Sequence, residues 1–171
     1  MAERKTPTIY IDADACPVVR QTLAVARKAG LPCVVAGDVN HNLEAHIRRN
    51  DPREPREGFW VRTLGVTSGP DSADFAIVCE LEPEDVVVTQ DIGLAQMALG
   101  RGAHAIDVRG RVFDSRTIDM LLLVRHATKE ELRDRRRRGK PRVEAHKPID
   151  EEARARFERR FEDFLHELGL L

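Results

Sequence analysis

The chain has 171 residues, 42% of them hydrophobic and 33% charged, with a net charge of −1. That length suffices for one domain with a real core, and no apolar run approaches the ~20 residues needed to span a bilayer. The three cysteines (Cys16, Cys33, Cys79) are odd in number and lack metal spacing. The opening Met-Ala-Glu-Arg-Lys-Thr-Pro lacks the apolar stretch of a signal peptide. Both features point to reduced thiols in a cytoplasm and away from the disulfide-stapled and membrane classes.

Residues 8–12 read as a first strand. They end in Asp12 and Asp14, two carboxylates one residue apart, and Pro17 then opens a helical period over 17–29. Pro suits the first helical position, where its missing N–H costs nothing. Gly30 is placed to stop this helix in the C-cap manner. Residues 32–36 give a second strand, so the start of the chain is a βαβ unit with parallel pairing and a right-handed crossover. The stretch 37–58 is mostly polar, with a short helix expected near Leu43 to Arg49 and an exposed loop from Asn50 to Gly58.

Residues 59–64 form a third strand, with Phe59 and Trp60 expected in the core. After Ser-Gly-Pro, a helix is expected to Leu81, with Asp71 as a candidate N-cap and Asp74 three residues on, over the same face. Asp85-Val-Val-Val-Thr89 is the strongest strand signal, and its consecutive valines imply burial on both faces. It ends at Asp91, and a helix follows from Ile92 to about Leu99. Residues 103–108 are a fifth strand. A long helix is expected from Ser115 to Arg138, with Met120 to Val124 deeply buried because two apolar stripes meet there. From Lys129 it is almost wholly charged and should extend into solvent. Residues 139–147 read as a linker. A final helix from about Asp150 carries Phe157, Phe161, Phe164, Leu165 and Leu168 at helical spacing, a docking face.

The domain organisation is therefore an α/β unit over 8–132, a basic helix end and linker over 133–147, and a C-terminal helix over 148–171 docking on the same unit. Strands alternate with helices, so the fold class is α/β with a mainly parallel five-stranded sheet. With the first strand beside the fourth, the switch-point crevice lies at their carboxyl ends, where such sheets bind ligands. Asp12, Asp14 and Asp91 sit at those ends, and the helix at Asp71 and Asp74 starts on the same edge. Each Asp alone reads as a helix cap or turn residue. Together, five carboxylates converging without basic partners read as a site for a hard divalent cation, Mg²⁺ or Mn²⁺. Such a site suits phosphodiester hydrolysis.

Charge is unevenly placed. Residues 133–142 hold seven basic residues and one acid, so the remaining 161 carry a net −7. Arg135, Arg136, Arg137, Arg138, Lys140 and Arg142 are candidates to meet a polyanion such as RNA, or simply a solvated helix end. Cys16 reads as a small packed residue, His41 as a loop histidine, and no histidine pair has zinc spacing. No Gly-rich phosphate loop is present, so no nucleotide cofactor is expected.

The segments Asp-Ala-Asp-Ala-Cys-Pro (12–17), Asp-Ser-Ala-Asp (71–74), Val-Val-Thr-Gln-Asp-Ile-Gly-Leu-Ala (87–95), Arg-Gly-Arg-Val-Phe (109–113) and Gly-Lys followed by Lys-Pro-Ile (139–149) are, in this order, similar to those of the YaiI/YqxD family of uncharacterised bacterial proteins. The resemblance covers about residues 8–168. In the family a Gly-Pro tends to precede the Lys-Pro and an aromatic to follow it; here His146 precedes and Ile149 follows. The family in turn resembles PIN-like nuclease domains, which use acidic residues at strand ends to bind Mg²⁺ or Mn²⁺ and cut RNA. That resemblance implies a three-layer PIN-like domain. It also implies Asp12, Asp74 and Asp91 as metal ligands and catalytic residues, with Asp14 and Asp71 next. Two other functions fit the residues. One is a phosphatase using Asp12 as nucleophile and Asp14 as acid/base, although Cys16 stands where that signature has Thr. The other is a non-catalytic RNA-binding module using the basic run.

Overall fold

Val86, Val87 and Val88 have no exposed surface at all, as a β-branched run without an alternating polar face requires. They form one inner strand of a sheet whose members are β1 (Ile9–Asp12), β2 (Cys33–Asp38), β3 (Val61–Val66), β4 (Val86–Val88) and β5 (His104–Ile106). The computed structural model describes residues 6–39, 42–45, 57–67, 72–137 and 149–171. The strand order is β3-β2-β1-β4-β5, and every strand pairing is parallel. β1 is central, paired along both its edges. It pairs through Ile9↔Cys33 on one side and Ile9↔Val86 on the other.

The period of two along a strand builds two cores. Ile9, Ile11, Cys33, Val35, Val86 and Val88 face α1 (Val19–Ala29) and the C-terminal helix. Tyr10, Val34, Ala36 and Val87 face α2 (Ser72–Glu80), α3 (Ile92–Gly100) and the first turn of α4 (Ile118–Arg137). The C-terminal helix is α5 (Glu151–Glu167), which lays Phe157, Phe161, Phe164 and Leu165 on the first core. Phe157 and Phe161 stack with ring centroids 5.6 Å apart. The result is three layers, helices over sheet over helices.

Two local devices fix the strands. Asp85 is buried; its carboxylate accepts from the Thr8 N–H at 2.8 Å and the Glu82 N–H at 2.9 Å. It thereby ties the entry to β1 to the turn before β4. Gly30 ends α1 in the left-handed region, φ +68, where a Cβ would stand 2.8 Å from the Glu57 carbonyl oxygen.

The structure differs from the sequence expectations at several places. β5 ends at Ile106, not 108, where the Asp107 carboxylate accepts the Arg109 and Arg111 N–H groups in a turn, and α4 begins at Ile118, not Ser115, after a turn in which Asp114 accepts the Arg116 N–H. α1 begins at Val19, not Pro17, because a 3-10 turn at Ala13–Ala15 intervenes. β2 and β3 each run two residues past the expected end, since Gly37–Gly65 and Asp38–Val66 continue the ladder. Trp60 is half exposed while Phe59 is buried, because adjacent residues entering an edge strand point to opposite sides. Met120, Leu123 and Val124 are exposed, not deeply buried. α4 lies at the outer edge of its layer, packs Ile118 and part of Leu121 against the second core, and turns the other stripe outward. Of the short helix expected near 43–49, residues 43–45 are helical and the rest falls outside the described residues, as do His41 and the 139–147 linker.

Candidate functional site

Asp12 is the last residue of β1 and is buried. Thr89, the first residue past β4 and fully buried, donates its hydroxyl to Asp12 Oδ2 at 2.8 Å. The same hydroxyl oxygen accepts the Asp91 N–H at 2.9 Å. The strands stand side by side here, with Ile11 opposite Val88. A threonine one residue past β4 can therefore reach an aspartate one residue past Ile11.

Burial raises the pKa of Asp12 above the usual carboxylate range. The Thr89 hydroxyl opposes this, while the negative charges of Asp14 and Asp91 add to it. The three acids thus share one electrostatic site. Asp91 is held the other way. The Arg125 guanidinium chiefly keeps its carboxyl below the ordinary value, against its partial burial. Arg125 reaches from α4 with Nη1 2.9 Å from Oδ1 and Nη2 3.4 Å from Oδ2. Asp91 is also the N-cap of α3, accepting the Gly93 N–H at 2.7 Å.

Asp14 is exposed and does not cap α1. Both its oxygens accept the Asp38 N–H at the end of β2, at 3.0 and 3.1 Å. Gly37 makes this approach possible, since a Cβ there would lie 2.7 Å from Asp14 Oδ1. Asp74 stands half-buried in the first turn of α2. Asp71 lies outside the described residues, as do Arg138, Lys140 and Arg142, while Arg135, Arg136 and Arg137 fall in the last turn of α4, with Arg137 exposed. Cys16 is buried, and burial pushes its thiol up to about 12, so it carries no thiolate near neutrality.

The donors are all carboxylate oxygens, the ligand type of a hard cation, and Asp12 has the negative charges of Asp14 and Asp91 as neighbours. In chemistry the set fits Mg²⁺ or Mn²⁺. In spacing, no three His, Cys, Asp or Glu side chains among the described residues stand close enough to hold a metal ion. Asp14 turns to Asp38 and Asp91 to Gly93 and Arg125. The sequence reading missed Arg125 and Gly37 and gave Thr89 no role. The available signals were a lone arginine closing the apolar run 120–124, a glycine at the end of a buried strand, and a threonine two residues before Asp91.

Fold and site together define a three-layer α/β protein with Asp12 and Asp91 at or just past the carboxyl ends of its two central strands. The chain belongs to the YaiI/YqxD family: the profile described as "Uncharacterized BCR, YaiI/YqxD family" matches residues 10–167. It is 43% identical to a UPF0178 protein of Exiguobacterium sibiricum over 122 residues, 71% of this chain and 74% of that one. A UPF0178 protein of Clostridium acetobutylicum is 38% identical over the same shares. One from Bacillus thuringiensis is 34% identical over 157 residues, 92% of this chain and 97% of the relative. No solved structure matches the chain. None of the described helices is long and apolar enough to cross a membrane.

Proposed function

We propose that the protein is a Mg²⁺- or Mn²⁺-dependent nuclease that cleaves RNA phosphodiester bonds in the crevice between β1 and β4. The observation that carries this reading is Asp12. It is a buried carboxylate at the switch point, oriented by Thr89, raised in pKa chiefly by its burial and further by the charges of Asp14 and Asp91. Structural aspartates are placed beside donors or cations. Asp12 faces like charge as well as a hydroxyl, an arrangement that favours a bound cation. The family's resemblance to PIN-like domains supports the same chemistry.

Asp12, Asp14, Asp74 and Asp91 are the carboxylates that a cation would draw on, and in the described structure they do not stand at the spacing of a formed metal site. A bound divalent cation supplies a water of lowered pKa and offsets charge on the scissile phosphate. The chain's own part is to fix Asp12 through Thr89, to shield it from bulk water by burial, and to hold Asp91 in register at the start of α3.

The test is cleavage of end-labelled single-stranded and hairpin RNA with Mn²⁺ or Mg²⁺, with an EDTA arm and an Asp12→Asn/Asp91→Asn variant. Cutting that disappears in both is the expected result. Cutting that survives the variant, or RNA binding without cutting, overturns it; the second outcome leaves a non-catalytic RNA-binding protein.

A further inference from the structure

Among the described residues, the side-chain anchors of α4 on the domain lie in its first half. Ile118 is buried in the second core, Gln96 Nε2 of α3 donates to Asp119 Oδ1 at 3.1 Å, and Arg125 holds Asp91. Among the described residues, no side-chain hydrogen bond ties α4 to the domain beyond Arg125. The helix nevertheless continues to Arg137.

The residues spaced at four from that anchor are Arg125, Lys129, Arg133 and Arg137. Side chains at this spacing lie along one row of a helix, about 6 Å apart in rise, so the row spans about 18 Å. Lys129, Arg133 and Arg137 are exposed, and no ion pair among the described residues takes them up. Glu130 and Glu131 fall off the row. On a chain of net charge −1, the fold gathers positive charge into a line that starts at the acidic crevice and leads away from it.

We propose that this row is a track for a single phosphodiester strand, with Arg125 as the junction where the strand passes from α4 to the crevice. The proposal rests on the nuclease reading for its choice of RNA. The geometry itself requires only a strand of regularly spaced negative charge. A line of separated cations beside an acidic pocket suits such a strand: its phosphates meet the row while the pocket excludes all but a metal-bridged one. Arg125 is here a positioning residue, since it acts through Asp91 and through the strand's approach.

The experiment is fluorescence anisotropy of a fluorescein-labelled oligouridylate with the full chain in EDTA, over a range of salt. The variants are Lys129→Ala/Arg133→Ala/Arg137→Ala and, as a charge-matched control, Arg20→Ala/Arg156→Ala/Arg159→Ala, exposed positions on α1 and α5. The row variant should bind at least tenfold more weakly, with the log–log salt slope reduced by about 2, roughly 0.7 for each lost phosphate contact. The control should stay within twofold. Equal losses in the two, no loss in the row variant, or no binding by the unaltered chain would each overturn the track. Because EDTA removes catalysis from the assay, the two readings fail separately. Binding along the row without any cutting overturns the nuclease alone. Cutting with a row variant that binds like the unaltered chain overturns the track alone.

Discussion

Arg125 and Asp91 meet across the edge of the crevice, one on α4 and one at the start of α3, with contacts of 2.9 and 3.4 Å. The pair lends Asp91 a positive neighbour that Asp12 lacks. Arg125 lowers the pKa of Asp91, while burial first and the charges of Asp14 and Asp91 next raise that of Asp12.

The Asp91 shift has a pH signature. A carboxyl with a depressed folded pKa contributes stability above its unfolded value, near 3.9, and loses it as pH falls through the folded value. Arg125→Gln should shrink that contribution. Thermal melts between pH 3 and 7 should show a smaller gap between variant and parent at the acid end than at neutrality. The pair is about one-third exposed on each side, so the neutral-pH difference should be modest.

Asp12 works in the opposite sense. Its folded pKa is raised, so ionising it costs stability, a cost absent below the unfolded value and complete above the folded one. Asp12→Asn keeps an acceptor for Thr89 and removes the charge. In EDTA at pH 7 its melting temperature should rise, by about 2–4 °C for each kcal/mol relieved. Mn²⁺ should raise the melting temperature of the parent and leave that of the variant unchanged.

Thr89→Val tests the hydroxyl that serves both acids. It is close in shape and leaves Asp12 Oδ2 without its donor and the Asp91 N–H without its acceptor. The expected cost is about 1–3 kcal/mol in urea denaturation. Thr89→Ser, which keeps the hydroxyl, should recover most of it, and RNA cleavage should follow the same order.

Two apolar substitutions should differ sharply. Phe161 is fully buried on the inner face of α5 and stacked on Phe157, so Phe161→Ala should cost about 3–5 kcal/mol. Leu123 is 64% exposed on α4, so Leu123→Gln should change stability by no more than about 0.5 kcal/mol. A large loss at Leu123 would show that something covers that face in solution.

The local alternation of apolar and polar residues determined much by itself. The valine run identified an inner strand, the strand–helix alternation identified a parallel sheet, and the order of the elements put the carboxyl ends of β1 and β4 together at Asp12 and Asp91. The phenylalanine stripe of the last helix marked the face that packs on the first core. These signals are local because backbone pairing and periodicity are local. Only the tertiary structure decided which side of α4 meets the domain, since two apolar stripes at equal spacing read alike until a neighbour covers one. It alone decided the partners of the acids, too. Thr89 to Asp12 spans 77 positions and Arg125 to Asp91 spans 34, and no spacing rule couples residues so far apart. Their meeting follows from strand order and helix placement, which bring distant side chains within hydrogen-bond reach.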